Sequence, residues 1–181
     1  MSTENMDFLK LCETRQSCRK FADTPVEHDK LVRCIEAARL APSGCNSQPW
    51  SFVVVETPEK TAQVAEATHQ MGVNGNTGSA KAFIIVLEEH AVLMPNLRCM
   101  LDSQYFAHGD IGAATLAITM QAASMGLGSC ILGVFDREAI CKAVDLPVDK
   151  RIRLLVAIGY PENDNIRPKQ RKPLEDIARF V

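Results

Sequence analysis

Residues 111–135 read IGAATLAITMQAASMGLGSCILGVF, a run without one charged side chain, and its reading decides the fold. As a single helix it would be long enough to span a bilayer, which takes about 20 apolar residues. Its details point elsewhere. Thr115, Thr119, Gln121, Ser124 and Ser129 interrupt it, Gly126 and Gly128 end a helix partway, and the flanking residues Asp110 and Asp136 are acidic rather than basic. The run reads as a buried Ala-rich helix over 106–125, a turn at the glycines, and a short strand over 129–134. The same glycines also match the first half of the dinucleotide fingerprint GxGxxG. That motif follows a strand and opens a helix, whereas here a helix precedes the glycines and Ile131 stands where the third glycine belongs. A helix C-cap and a tight turn account for them.

Outward from this run, the other elements follow from period and punctuation. In DKLVRCIEAARL, Leu31, Cys34, Ile35 and Ala38 fall on one helical face, and Thr24-Pro25, Glu27 and Asp29 supply start signals. A short helix is expected over 6–14, and PEKTAQVAEATH and residues 136–145 are two more. WSFVVVE, KAFIIVLEE and IRLLVAIG are strands that are apolar continuously rather than alternately, which predicts cover on both faces and so a sheet between helical layers. Residues 90–105 carry no clear period, HQMGVNGNTGSA reads as loop, and the tail from 161 to 181 reads as an extended arm.

Composition narrows the function. A chain of 181 residues with 46% hydrophobic content builds one core, so residues 1–181 form a single domain. A net charge of −2 argues against a general nucleic-acid binder, which needs a large excess of Lys and Arg. The seven cysteines, at 12, 18, 34, 45, 99, 130 and 141, are odd in number and lack the spacing of zinc-binding pairs. Neither a disulfide framework nor a metal site is expected, and most of these thiols should be buried small hydrophobes in a reducing compartment. MSTENMDFLK lacks the basic start and apolar core of a signal peptide, so the expected location is cytoplasmic.

Two basic clusters stand out against this balanced charge: Arg15, Arg19 and Lys20 near one end, and Arg167, Lys169, Arg171 and Lys172 near the other. Converging, they would suit a phosphate, each charge-assisted hydrogen bond being worth about 1.5–3 kcal/mol. The histidines at 28, 69, 90 and 108 are scattered and form no triad. A third feature is APSGCNSQPW, residues 41–50, between a helix and a strand. A connector needs one Gly or Pro and one Asn, so its surplus of Ser, Asn and Gln points to something polar and planar being held.

Five ordered stretches together resemble the FMN-dependent nitroreductase superfamily: RQSCRKF with DTPV (15–26), EAARLAPSGCNSQPWSFVVV (36–55), GDIGAATLAITMQAASMGLGSCILGVFD (109–136), LLVAIGYP (154–161) and KQRKPLEDI (169–177). The resemblance implies an α+β fold, a nitroreductase-like three-layer α/β/α sandwich with a mixed, largely antiparallel central sheet. It implies an interlocked homodimer, the 161–181 arm of each chain wrapping its partner, with FMN at the interface.

By the same resemblance, Arg15 and Ser17 reach the phosphate and ribityl chain, Gln16 and Cys18 lie between the contact residues, and Arg19 approaches the N1 and O2 edge. Lys169 and Arg171 are a second phosphate clamp. Pro42, Ser43, Gly44 and Asn46 reach the partner's flavin, with Gln48 bracing their loop. Leu132, Gly133 and Val134 lie over the flavin, the N–H of Gly133 towards N5, and either Asn74 or Asn76 supplies an amide at the pyrimidine edge. Relatives often have two glycines where this chain has Gly133-Val134.

The implied activity is ping-pong transfer of hydride from NAD(P)H through FMN to a nitroaromatic, a quinone or a similar planar electrophile, a small-molecule acceptor, with no dedicated catalytic side chain. Three alternatives stand beside it. A reductive dehalogenase-like flavoenzyme would need a lid that reads an amine and a carboxylate, and only 69–78 and 88–105 offer one. A flavin-binding redox module would not turn over, and an interaction protein would leave both basic clusters unexplained.

Overall fold

A computed structural model describes residues 7–69, 72–98 and 102–181. In chain order its helices are α1 (Phe8–Thr14), α2 (His28–Arg39), α3 (Pro58–His69), α4 (Pro95–Arg98), α5 (Ser103–Ser124), α6 (Arg137–Ala143) and α7 (Leu174–Ile177). Its strands are β1 (Trp50–Val55), β2 (Ala82–Glu88), β3 (Gly128–Leu132) and β4 (Arg151–Gly159). The strands form one sheet in the order β1-β2-β4-β3.

Every neighbouring pair in that sheet is antiparallel. The parallel component expected of a mixed sheet is reduced, among the described residues, to one isolated bridge, Ser17 to Ser129. The central strands carry the fold because their side chains are covered on both faces. Phe83, Ile85 and Leu87 of β2 pack with Val64 of α3 and Ile140 and Cys141 of α6. Ala82, Ile84 and Val86 face the other way, against Leu31, Cys34 and Ala38 of α2 and Ile111, Ala114 and Ile118 of α5. Each large side chain so buried contributes about 1.5–3 kcal/mol, and the result is the expected three layers.

Two local departures have simple causes. β1 is the sheet edge, so Trp50–Val54 are only partly covered although FVVV reads as a two-faced strand. In β4 the register slips between Val86 and Leu87, pairing Val86 with Leu154 but Leu87 with Ile152. Arg153 is the extra residue, and Ile152 and Leu155 consequently reach the same core despite their odd spacing.

The uncharged run divides as its glycines require. In α5, Ile111, Ala114, Ile118 and Ala122 are fully buried, and the helix ends at Gly126, which takes φ +76° while Leu127 N donates to Ala122 O at 2.9 Å. No helix among the described residues is long and apolar enough to cross a membrane. Of the cysteines, Cys34, Cys130 and Cys141 are buried free thiols, Cys12 and Cys18 are half-buried, Cys45 is exposed, and Cys99 lies outside the described residues.

Candidate active site

After α1 the chain runs extended through Arg15–Phe21 because it is fastened at two points to the sheet. Cys18 N donates to Ser129 O at 2.9 Å, and Ala22 N to Tyr160 O at 2.8 Å. The first contact needs Gly128: a Cβ there would lie 2.7 Å from both Cβ and Sγ of Cys18. Cys18 thus packs its side chain onto the start of β3, and its Sγ donates to Lys20 O at 3.1 Å.

The arm is laid along this segment by polar contacts that bridge the two ends of the sequence. Gln16 Nε2 donates to Asn165 O at 2.6 Å, and Gln16 Oε1 accepts from Arg167 N at 3.2 Å and Nε at 3.0 Å. Arg167 Nη2 donates to Ser17 O at 2.6 Å, and Lys169 Nζ to Arg15 O at 2.5 Å. Arg15, Ser17, Arg19, Arg167, Lys169 and Arg171 then line one cleft of about 310 Å³. A neighbouring cavity of about 430 Å³ shares Arg15, Ser17 and Arg167 with it and extends to Gly126 and Asn163.

The cleft is strongly cationic. None of its five cations makes an ion pair with a carboxylate among the described residues. Burial, and then the charges of Arg15, Arg171 and Arg167, hold Lys169 below the usual lysine range. Burial pushes the Cys130 thiol up, while Arg19, Arg167 and Arg15 pull it back down, which places three guanidiniums around one point of β3. Cations assembled without counter-charge are the signature of an anion site.

Leu132, the last residue of β3, is buried in the core, whereas Gly133 and Val134 lie just beyond the strand, which was expected to include them, and are exposed. A Cβ on Gly133 would meet only Leu154 Cδ2, at 3.9 Å. Asn74 Nδ2 donates to Val134 O at 2.8 Å from a backbone at φ +61°, while Asn76 is exposed. Of the two asparagines the sequence left open, Asn74 is the one brought to this stretch. His69 is half-buried against Gly78, its Nε2 without a hydrogen-bond partner among the described residues.

The loop at 42–48 lies elsewhere. Cys45, Asn46 and Gln48 all take left-handed backbone, with φ of 54°, 52° and 49°, a conformation that persists only where the surroundings enforce it. Here Gln48 N donates to Ser43 Oγ at 2.9 Å, Gln48 Nε2 to Asn46 O at 3.1 Å, and Gly44 N to Asp110 Oδ2 at 3.1 Å. Gly44 also rests on Phe106, whose Cδ1 would be 3.5 Å from a Cβ. Gly44 is therefore tied to the first half of α5, while the cavity next to the cationic cleft reaches Ala123 in its last turn. Phe106 and Asp110 are separated from Ala123 by about 20–25 Å at ~1.5 Å per residue. The two groups thus contact opposite ends of α5.

Sequence reasoning assigned Lys169 and Arg171 but not Arg167, although all three stand in the same basic stretch. The tethering role of Gln16 left no local signal, because its partners are about 150 residues away.

Residues 12–160 match the family model described as Nitroreductase family. A protein of Archaeoglobus fulgidus provisionally named NADH dehydrogenase/NAD(P)H nitroreductase is 33% identical over 86% of this chain and 86% of its own length. Among solved structures, a nitroreductase family protein from Streptococcus pneumoniae superposes with a TM-score of 0.81 at 24% identity, covering 97% of this chain and 100% of that one. A provisionally named nitroreductase from Exiguobacterium sibiricum, in complex with FMN, gives 0.82 at 20% identity over 100% of both chains. On the family match and the Archaeoglobus relative, the chain belongs to the nitroreductase family.

Proposed function

We propose that this protein is an FMN-dependent oxidoreductase in which NAD(P)H is the reductant and a planar electrophile such as a nitroaromatic or a quinone is the acceptor. The observation that carries the reading is the cleft in which Arg15, Arg19, Arg167, Lys169 and Arg171 pair with no carboxylate among the described residues. Those residues fit a flavin mononucleotide: cations and the Ser17 hydroxyl for the phosphate and ribityl chain, and an exposed Gly133 three residues beyond Cys130, about 10 Å along the strand, for the ring. FMN when bound supplies the hydride chemistry, and the protein supplies binding, orientation and charge.

Arg15, Lys169 and Arg171 hold the phosphate, and Arg19 contributes positive charge that favours the reduced, anionic form of the ring. Asn74, by gripping Val134 O, fixes the backbone on which Gly133 offers its N–H. Gln16 and Arg167 act one step back, keeping the arm on the phosphate-binding segment. No side chain is assigned as a dedicated acid or base.

The separation of the 42–48 loop from the cleft is met by a second copy. α5 leaves one face open, with Gly109, Gly112 and Leu116 exposed. Two such helices packed antiparallel would set the loop of one chain beside the cleft of the other. The arm supports the same reading: Leu174, Ile177 and Phe180 are all more than 60% exposed and apolar, a stretch suited to wrapping a partner.

The test is direct. Purified protein should be yellow, dimeric, and bleached anaerobically by NADH or NADPH, and added quinone or nitroaromatic should restore the colour. Colourless protein that takes up no added FMN overturns the reading, and a flavin-bound monomer at dilution overturns the shared site.

A further inference from the structure

We propose that Arg153 and His108, held from behind by the buried carboxylate of Glu88, seat an anionic substituent of the electron acceptor, so that the protein prefers an arene carboxylate to an uncharged ring. The inference rests on the function proposed above and adds to the planar ring a charge and the residues that read it.

The seat is built where the end of β2 meets β4 and the first turns of α5. The Glu88 side chain has no exposed surface, and its two oxygens are treated unequally. Oε1 accepts from Arg151 Nη1 at 2.9 Å and from Gln104 Nε2 at 2.7 Å. Oε2, also buried, has no hydrogen-bond partner among the described residues. It faces Arg153 Nη1 at 3.9 Å and His108 Nε2 at 4.0 Å, distances over which charges attract but no hydrogen bond forms. Glu88 thus orients both side chains from within, while 39% of Arg153 and 47% of His108 stay exposed.

Two permanent positive charges, Arg151 and Arg153, stand against one carboxylate that is already bonded to Arg151. The next carboxylate along the strand, Glu89, is taken by Lys150 Nζ at 3.1 Å. The group is therefore one anion short. Arg153 is also the residue at which β4 slips register, and such a bulge re-aims a side chain out of the strict alternation of a strand.

Its place beside the ring follows from the sheet. Arg153 precedes Leu154, whose Cδ2 lies 3.9 Å from a Cβ on Gly133. One strand spacing across and one residue along set the Cα atoms of Arg153 and Gly133 about 6 Å apart. The charge met at that range is one carried directly on a ring stacked at Gly133. A guanidinium and an imidazole N–H match the two oxygens of one planar carboxylate.

The test uses the FMN-loaded protein and two redox-inert ligands of one shape, benzoate and benzamide, with each Kd read from the perturbed flavin absorption. Benzoate should bind about tenfold tighter, which is the value of one charge-assisted hydrogen bond. Equal Kd values overturn the seat. In Arg153→Met the preference should vanish, and in His108→Phe it should fall about threefold. A preference that survives Arg153→Met puts the anion elsewhere and also overturns the seat. Because the readout is a ratio within one protein, a general loss of stability does not imitate it. Turnover repeats the contrast: kcat/KM for para-nitrobenzoate over para-nitrobenzamide should fall about tenfold in Arg153→Met. A yellow protein that NAD(P)H bleaches, but that shows neither preference, overturns the seat alone. Colourless protein that takes up no FMN overturns the seat and the proposed function together.

Discussion

The two ends of α5 are built on opposite principles. Beside the cavity that reaches its C-terminal end, Arg15, Arg19, Arg167, Lys169 and Arg171 crowd into a cleft where none pairs with a carboxylate among the described residues. At the N-terminal end, the 42–48 loop is neutral, and its polar groups are spent on the loop itself and on residue 92, as in Gln48 N to Ser43 Oγ and Val92 N to Ser47 Oγ. One end is open to a ligand and electrostatically incomplete; the other is internally satisfied and shaped. The contrast teaches that one region gathers unpaired charge while the other spends its polar groups internally.

The largest effect should come from emptying the charged half. Lys169→Ala with Arg171→Ala removes two charge-assisted contacts, about 1.5–3 kcal/mol each, so FMN affinity measured by fluorescence quenching at fixed salt should fall at least a hundredfold. Thermal stability should hold or improve, because like charges are relieved. Retained affinity would place the phosphate elsewhere.

Separating the halves comes next. Leu116→Arg puts a charge on the open face of α5, where Leu116 is 50% exposed, and should yield a folded monomer by sedimentation with FMN affinity reduced at least tenfold, since an unpaired charge at a buried interface costs several kcal/mol. A dimer with unchanged affinity would remove α5 from the interface.

A smaller effect follows from pH. An anion raises the pKa of Lys169 from the depressed value that burial and its cationic neighbours impose. Binding therefore takes up a proton once the pH exceeds that value in the free protein: affinity is full below it and declines above it. Titrations of FMN across the alkaline range should show this decline, and Lys169→Gln should flatten it.

The smallest expected effect on the flavin site falls outside both regions, on the buried Glu88 at the end of β2. Burial raises the Glu88 pKa, but the bonds from Gln104 and Arg151 and the charges of Arg151 and Arg153 outweigh it, and the net shift is downward. A depressed carboxylate stabilises the fold above its ordinary pKa and loses that contribution as pH falls through the folded value. Arg151→Ala, which removes the partner at 2.9 Å, should cost about 1–3 kcal/mol in denaturant melts at neutral pH and leave FMN affinity unchanged. A loss of flavin binding in this variant would tie the two halves together through the sheet.

Much of the fold was legible in the sequence because its signals are local. α2 and α3 follow from apolar period and start residues, and the Gly126 turn from the need for left-handed backbone at a helix end. β1 was legible as a strand but not as an edge, since FVVV looks the same whether or not a second layer covers it. The site was legible in part. Arg15, Gln16, Ser17, Arg19, Lys169 and Arg171 line one cleft in the structure, whereas Arg167, and the tethering of the arm by Gln16, were missed because those contacts join positions about 150 residues apart.

The amino-acid sequence by itself determined the four strands and the longer helices but not the short α4 and α7, that the 111–135 run is divided at its glycines, and which residues are chemically fit to hold an anion. Only the tertiary structure decided the antiparallel order β1-β2-β4-β3, the choice of Asn74 for Val134, and the placement of the 42–48 loop at the opposite end of α5 from the cations. The physical reason is range. Backbone preference and hydrophobic period act over a few residues and are written along the chain. Which groups meet depends on how distant segments pack around a shared core, and that is settled by the whole fold.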